Sequence, residues 1–170
     1  MDNRILLAHG SGGRLSHDLV SKHIVSKITN PFLEKMDDSS TLDFEGRLAF
    51  TTDSYVVSPI IFPGGNIGKL AVCGTVNDLS MSGAKPLYLS LSFIIEEGLE
   101  VEEFEKIVRS ISETAAEAGI EIVTGDTKVV NKGDADRLFI NTSGIGRIPN
   151  GIDISGANAK PGDRIIISGT

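Results

Sequence analysis

The most constraining stretch is Gly65–Pro86, GNIGKLAVCGTVNDLSMSGAKP, which reads as a helix covered on most of its surface. Between Pro63 and Ala84 its charged residues are Lys69, near the start, and Asp78. On a wheel of about 100° per residue, Asp78 falls between Ile67, Leu70, Ala71, Gly74 and Met81, and Val72, Cys73, Val76 and Leu79 make the opposite side apolar too. A helix apolar all round belongs in an interior. An ionised carboxylate placed there needs a cation or several donors, because its desolvation costs several kcal/mol or more. What meets Asp78 is therefore the central question of the chain.

A helix of that kind needs a core around it. The 170 residues suit one domain, or one domain with the start of another, and the 40% hydrophobic content gives a mainly aliphatic interior. The net charge of −7 speaks against nucleic acid or an anionic membrane surface as partner. It leaves phosphate ligands open, since a bound divalent cation reverses a local field. The single cysteine, Cys73, excludes an internal disulfide and a multi-cysteine zinc site, and its apolar helix makes it an inert thiol. His9, His17 and His23 lack the spacing of a helical metal pair. With no apolar run near ~18 residues and no signal-peptide core, a soluble cytoplasmic protein is expected.

In chain order, an apolar run Ile5–Ala8 leads into His9-Gly10-Ser11-Gly12-Gly13-Arg14, a sterically open loop. A helix follows with Leu15, Leu19, Ile24 and Ile28 inward, ended by Asn30-Pro31. Phe32–Arg47 is loop-like and contains the Asp37-Asp38 pair. Leu48–Val57 reads as a strand with Asp53 its one charge. After the central helix, Leu87–Ile95 alternates cleanly, Leu87, Leu89, Leu91, Phe93 and Ile95 against a semi-polar Tyr88, Ser90, Ser92 and Ile94. An amphipathic helix with Val101, Phe104, Ile107, Val108, Ile111, Ala115 and Ala118 inward closes at Gly119. Ile120–Val130 is a strand broken at Gly125-Asp126, and Leu138–Ile145 a further strand. A Gly, Asn and Pro-rich stretch, Pro149–Asp163, precedes a new apolar strand at Arg164–Ser168. Strands interleaved with two large helices predict an α+β sheet with helices on one face.

Three aspartates share a pattern. Asp53 follows Thr51-Thr52, Asp78 follows Asn77, and Asp126 precedes Thr127, each within an apolar or small-residue element. Clustered carboxylates raise one another's pKa unless a cation intervenes, and oxygen donors without His or Cys suit Mg²⁺, with water and phosphate oxygens completing the shell. A capping role for each aspartate is the plain alternative. Lys128, two residues past Asp126, faces the same side of a continuing strand and is placed to meet phosphate or to form a surface ion pair. The glycine loop offers backbone N–H groups to phosphate but has neither the Walker A ending nor dinucleotide spacing. These residues support a Mg²⁺–nucleotide or Mg²⁺–phosphate site without naming a reaction.

The segments LAHGSGGR (7–14), LAFTTDSYVVSPIIFPGGNIGKLAVCGTVNDLSMSGAKP (48–86), FIIEEGL (93–99), IVTGDTKVV (122–130) and LFINTSGIG (138–146), with GDRIIISGT (162–170), together resemble the AIR synthase-related, PurM-like ATP-binding superfamily. Within it they are most similar to the HypE-type hydrogenase maturation factors. The resemblance implies a four-stranded sheet with flanking helices that pairs across a homodimer into an eight-stranded barrel, with ATP near the interface under the glycine-rich segment. It implies Asp53, Asp78 and Asp126, and less directly Asp38, as Mg²⁺–ATP carboxylates. Gly10, Ser11, Gly12, Gly13, Thr51, Thr52, Asn77 and Thr127 would bind the nucleotide, and Lys128 would be catalytic. Family members use ATP to dehydrate a thiocarboxamide on their own C-terminal cysteine to a thiocyanate, the source of the cyanide ligand of nickel–iron hydrogenase. The implied partners are the carbamoyltransferase HypF and the HypC–HypD complex.

By the same resemblance, residues 1–155 are expected to form the ATP-binding and dimerisation domain and 156–170 a linker with the first strand of a second. The second domain and the terminal cysteine fall outside the chain, and Cys73 cannot replace a carrier on a mobile tail, so this half alone is expected to bind Mg²⁺–ATP weakly and not to turn over. The competing readings are another PurM-like enzyme and a non-catalytic dimerisation module. Of the enzymes, selenophosphate synthetase wants a cysteine or selenocysteine in the glycine loop, and thiamine-monophosphate kinase or AIR synthase suits the T-D-S-Y-V and G-D-T-K-V-V blocks less well.

Overall fold

A computed structural model describes residues 4–167 and 169. A 3₁₀ turn, Leu7–Gly10, leads to α1, Arg14–Leu19, which continues without a break into a π-helical segment, Val20–Val25. Strand β1 spans Arg47–Tyr55. A two-strand hairpin, β2 Ile61–Phe62 and β3 Gly65–Asn66, delivers the chain to α2, Ile67–Met81. Then follow β4 Lys85–Glu96, α3 Val101–Ala118, β5 Glu121–Val130 and β6 Leu138–Ile148.

The long strands form one mixed sheet in the order β1-β6-β4-β5, antiparallel except for the parallel pair β4 and β5. Such a parallel pair needs a crossover, and α3 supplies it. Helices α2 and α3 cover one face, so the architecture is the expected α+β sheet with helices on one side. The core between them is aliphatic, with Leu89, Leu91, Phe93 and Ile95 of β4 meeting Phe104, Ile107, Val108 and Ile111 of α3. The opposite face carries Leu48, Phe50 and Thr52 of β1, Ser143 and Ile145 of β6, Tyr88, Ser90 and Ser92 of β4, and Thr124, Asp126 and Lys128 of β5, as the strand registers dictate. Among the described residues, no helix is long and apolar enough to cross a membrane.

Helix α2 departs from the expectation of all-round coverage. Ile67, Gly68, Ala71, Val72, Thr75 and Leu79 are buried, but Leu70, Met81, Asn77 and Asp78 are exposed. A wheel projects the axis away: Ile67 and Ala71 share Asp78's sector yet lie eleven and seven residues earlier, roughly 16 and 10 Å along a helix. The sheet and α3 cover that sector at its start, and Asp78 emerges at its far end. Entry to the helix is fixed by Asn66, whose side-chain oxygen accepts from the N–H groups of Gly68 (2.9 Å) and Lys69 (3.1 Å).

Other expectations need correction. Leu15, expected inward, is 46% exposed. The N-terminal helix meets α3 through its π segment, which leaves its first turn clear of the core. Strand β5 is unbroken at Gly125-Asp126. Gly125 pairs with Leu91, and a Cβ there would come 2.3 Å from the Leu91 carbonyl oxygen, so glycine permits close approach rather than a turn. The irregularity lies instead at Leu89/Ser90, where Val123 is the extra residue. Arg164–Ile167 forms no strand, because among the described residues it finds no ladder partner, and Ile165, Ile166 and Ile167 lie exposed; Ser168 lies outside the described residues.

Candidate functional site

The candidate residues fall into two groups on opposite sides of the sheet. In β1, Thr51, Asp53 and Tyr55 share one face by strand alternation, the face covered by α2. The Thr51 hydroxyl donates to Asp78 Oδ2 at 3.2 Å, tying the exposed end of α2 to the strand. Asp53 is half-buried, and its Oδ2 accepts from the Tyr55 hydroxyl (3.1 Å) and the Thr75 hydroxyl (3.1 Å). Residues i and i+2 of a strand lie about 7 Å apart, so Asp78, held by Thr51, stands beside Asp53. Burial above all, with the neighbouring Asp53 and Asp78 charges, raises the Tyr55 phenol above its ordinary 10.0, and it remains a donor at neutral pH.

The second group gathers at β5. Asp126 pairs in register with Ser92 and Lys128 with Ile94, so both look to the open face. Thr127 pairs with buried Phe93 and looks the other way. A cleft of about 240 Å³ runs along this edge, apolar at Ile24, Phe32 and Phe93, polar at Asp37, Asp126 and Thr127. Around the edge a second cavity of about 390 Å³ is lined by Asp38, Ser40, Phe50, Tyr88, Thr124 and Ser143. Ser40 donates to the Val123 carbonyl, fastening the Asp37-Asp38 segment to the strand.

The glycine loop lies over β5. A Cβ on Gly10 would come 2.7 Å from the Val129 nitrogen, so glycine here allows the turn to press on the strand. Ser11 donates to the Ala8 carbonyl (2.8 Å), the Gly12 N–H donates to Ser16 Oγ (2.8 Å), and Gly13 is the N-cap of α1. Thr52 points to the open face, donating to the Thr142 carbonyl (3.0 Å) and accepting from Ser143 (3.1 Å). Asn77 is exposed on α2.

Asp53 and Asp126 thus lie on opposite faces and at opposite edges of four strands, about 14 Å apart across the sheet at the usual strand spacing. Among the described residues no three His, Cys, Asp or Glu side chains come together as one metal cluster. Asp53 and Asp78 are held on the same side of β1 by hydroxyls, and among the described residues neither is in an ion pair with a lysine, arginine or histidine. Two carboxylates flanked by hydroxyls fit a hard cation, since Mg²⁺ is usually held by one or two carboxylates together with phosphate oxygens and water. Sequence reasoning missed Tyr55 and Thr75. The available signals were the i+2 spacing from Asp53 and a threonine inside an apolar helix.

The profile of the AIR synthase related protein, N-terminal domain, matches residues 36–148, which takes in the four-stranded sheet and the aspartates on both sides of it. The chain belongs to this family. Carbamoyl dehydratase HypE of Escherichia coli (strain K12) is 52% identical to it over 174 residues, covering 99% of this chain and 52% of that protein. The crystal structure of hydrogenase maturation protein HypE in complex with ATP superposes with a TM-score of 0.90 at 55% identity, over 92% of this chain and 47% of that one. HypE in a HypE–HypF complex superposes at 0.68 and 56% identity, over 85% of this AIR synthase-related chain and 47% of that one. The chain spans about half the length of the relatives it matches.

Proposed function

We propose that this chain is the nucleotide-binding half of a HypE-type carbamoyl dehydratase, one that uses Mg²⁺–ATP to dehydrate a protein-bound S-carboxamide to a thiocyanate for the cyanide ligand of a nickel–iron hydrogenase. The observation that carries this reading is the 0.90 superposition at 55% identity on a HypE that binds ATP. The protein acts in the cytoplasm as a homodimer, receives the carbamoyl group from HypF, and serves a HypC–HypD complex. A HypE–HypF complex among the similar structures supports the first of these partners.

Asp53 and Asp78 would hold the cation. Asp126 in the cleft at the β5 edge and Asp38 in the neighbouring cavity would provide further acidic positions, and Lys128, two residues past Asp126, would meet phosphate oxygens. Gly10–Gly13 covers the nucleotide, with Thr51, Thr52, Asn77 and Thr127 supplying polar contacts. Mg²⁺ would screen the phosphate charge that opposes phosphoryl transfer to a poor leaving oxygen. The residues of this chain position the phosphates and supply a fixed positive charge near the transferring group.

Titration calorimetry tests the reading. ATP with Mg²⁺ should give saturable heat that is lost when Mg²⁺ is omitted and in Asp78→Asn. Absence of heat at millimolar nucleotide, alongside a stable dimer by light scattering, would replace it with a dimerisation module.

A further inference from the structure

We propose that Tyr55, Thr75 and Thr142 form a hydroxyl relay that positions Asp53, occupying one of its carboxylate oxygens and reserving the other for a divalent cation. The inference rests on the reading of Asp53 as a metal-binding carboxylate. Thr75 and Thr142 are fully buried at 0% exposure, and their hydroxyl oxygens are 2.5 Å apart. The Thr75 oxygen also lies 3.1 Å from Asp53 Oδ2 and 3.2 Å from the Tyr55 oxygen. Each hydroxyl has one proton, and an ionised carboxylate accepts only. With Thr142 donating to Thr75, both Thr75 and Tyr55 donate to Asp53, and the Tyr55 and Thr75 oxygens are left as neighbours with no proton between them. All three protons then run toward Oδ2, while Oδ1 has no hydrogen-bond partner among the described residues.

A buried hydroxyl network needs an acceptor at its end. This one ends on a half-buried carboxylate beside an exposed one, Asp78. Its geometry is further guarded by Gly74 on α2, where a Cβ would come 2.2 Å from the Tyr55 hydroxyl oxygen. The glycine leaves room for the phenol to reach Asp53. Tyr55, Thr75, Thr142 and Gly74 are thus positioning residues, not ligands, and they bring β1, α2 and β6 to bear on one oxygen atom.

The test is Mn²⁺ binding to this chain in the presence of ATP, read from the electron paramagnetic resonance of free Mn²⁺, for Tyr55→Phe, Thr75→Val, Thr75→Ser and Gly74→Ala. Loss of an outer-shell partner typically weakens metal affinity about 10–100-fold, and losses of that size are expected in Tyr55→Phe, Thr75→Val and Gly74→Ala. Thr75→Ser keeps the hydroxyl and should bind near the unsubstituted level. Equal losses in Thr75→Ser and Thr75→Val would overturn the relay, because packing and not the hydroxyl would then be responsible. Full Mn²⁺ affinity in Tyr55→Phe and Thr75→Val would overturn it while leaving the proposed function standing. Failure of the unsubstituted chain to bind Mn²⁺–ATP would overturn both.

Discussion

Asp78 stands at the open end of α2 with the Thr51 hydroxyl as its hydrogen-bond donor. Being exposed, it can be neutralised without leaving a buried group unsatisfied. Asp78→Asn should therefore change stability by no more than about 0.5 kcal/mol while weakening Mg²⁺-dependent ATP binding at least tenfold, as thermal melts and calorimetry would show. Glu105 on α3 is a structural counterpart. His23 of the π segment lies 2.8 Å away, with Lys27 and Arg109 also in reach. The His23 hydrogen bond, chiefly, holds the Glu105 carboxyl below its ordinary 4.5. A depressed carboxyl favours the folded state above its unfolded value, and this contribution fades as pH falls through its folded value. Acid unfolding should thus begin at lower pH in the native chain than in His23→Ala, with no gap between them in Glu105→Gln, monitored by circular dichroism.

Elements whose pattern expresses one neighbour were legible, and those needing two were not. Strand β4 reads directly because alternate residues meet α3 and the open face, and α3 ends where Gly119 adopts a φ of 67°. Helix α2 misled because its apolar residues serve two purposes: Ile67, Ala71, Val72 and Leu79 fill the core, whereas Leu70 and Met81 are exposed in a single chain. The Gly125-Asp126 pair resembles a turn in sequence, and only the paired strand reveals that its glycine answers a carbonyl. The π segment has no pattern distinguishing it from an ordinary helix. Of the candidate site, the aspartates were visible as charges out of place; the hydroxyls around Asp53 were not, since tyrosine is ordinary in a strand and Thr75 reaches Asp53 from a separate element, α2. Gly68 makes the α2–α3 contact testable. A Cβ there would come 2.7 Å from Ile111 and 2.8 Å from the Ile107 carbonyl. Gly68→Ala should destabilise the fold by about 1–3 kcal/mol through overpacking, measured by urea unfolding.

At the scale of the molecule, the uncovered sheet face is the main unsettled surface. Phe50 is 64% exposed on it and borders the 390 Å³ cavity with Tyr88 and Ser143. If homodimerisation closes this face, as proposed, Phe50→Glu should convert the dimer to a monomer in sedimentation velocity while leaving the circular dichroism spectrum unchanged. A dimer that persists would place the contact elsewhere. The sheet also governs how the acidic strings of this chain are to be understood. TTDSY at 51–55 and TGDTK at 124–128 look alike as text, each an aspartate between small hydroxylic or glycine neighbours. Yet one sends its aspartate toward the helices and the other toward the opposite wall. Two near-synonymous phrases therefore address different sides of a partition, and it is the strand each is written on, not its wording, that decides which side hears it.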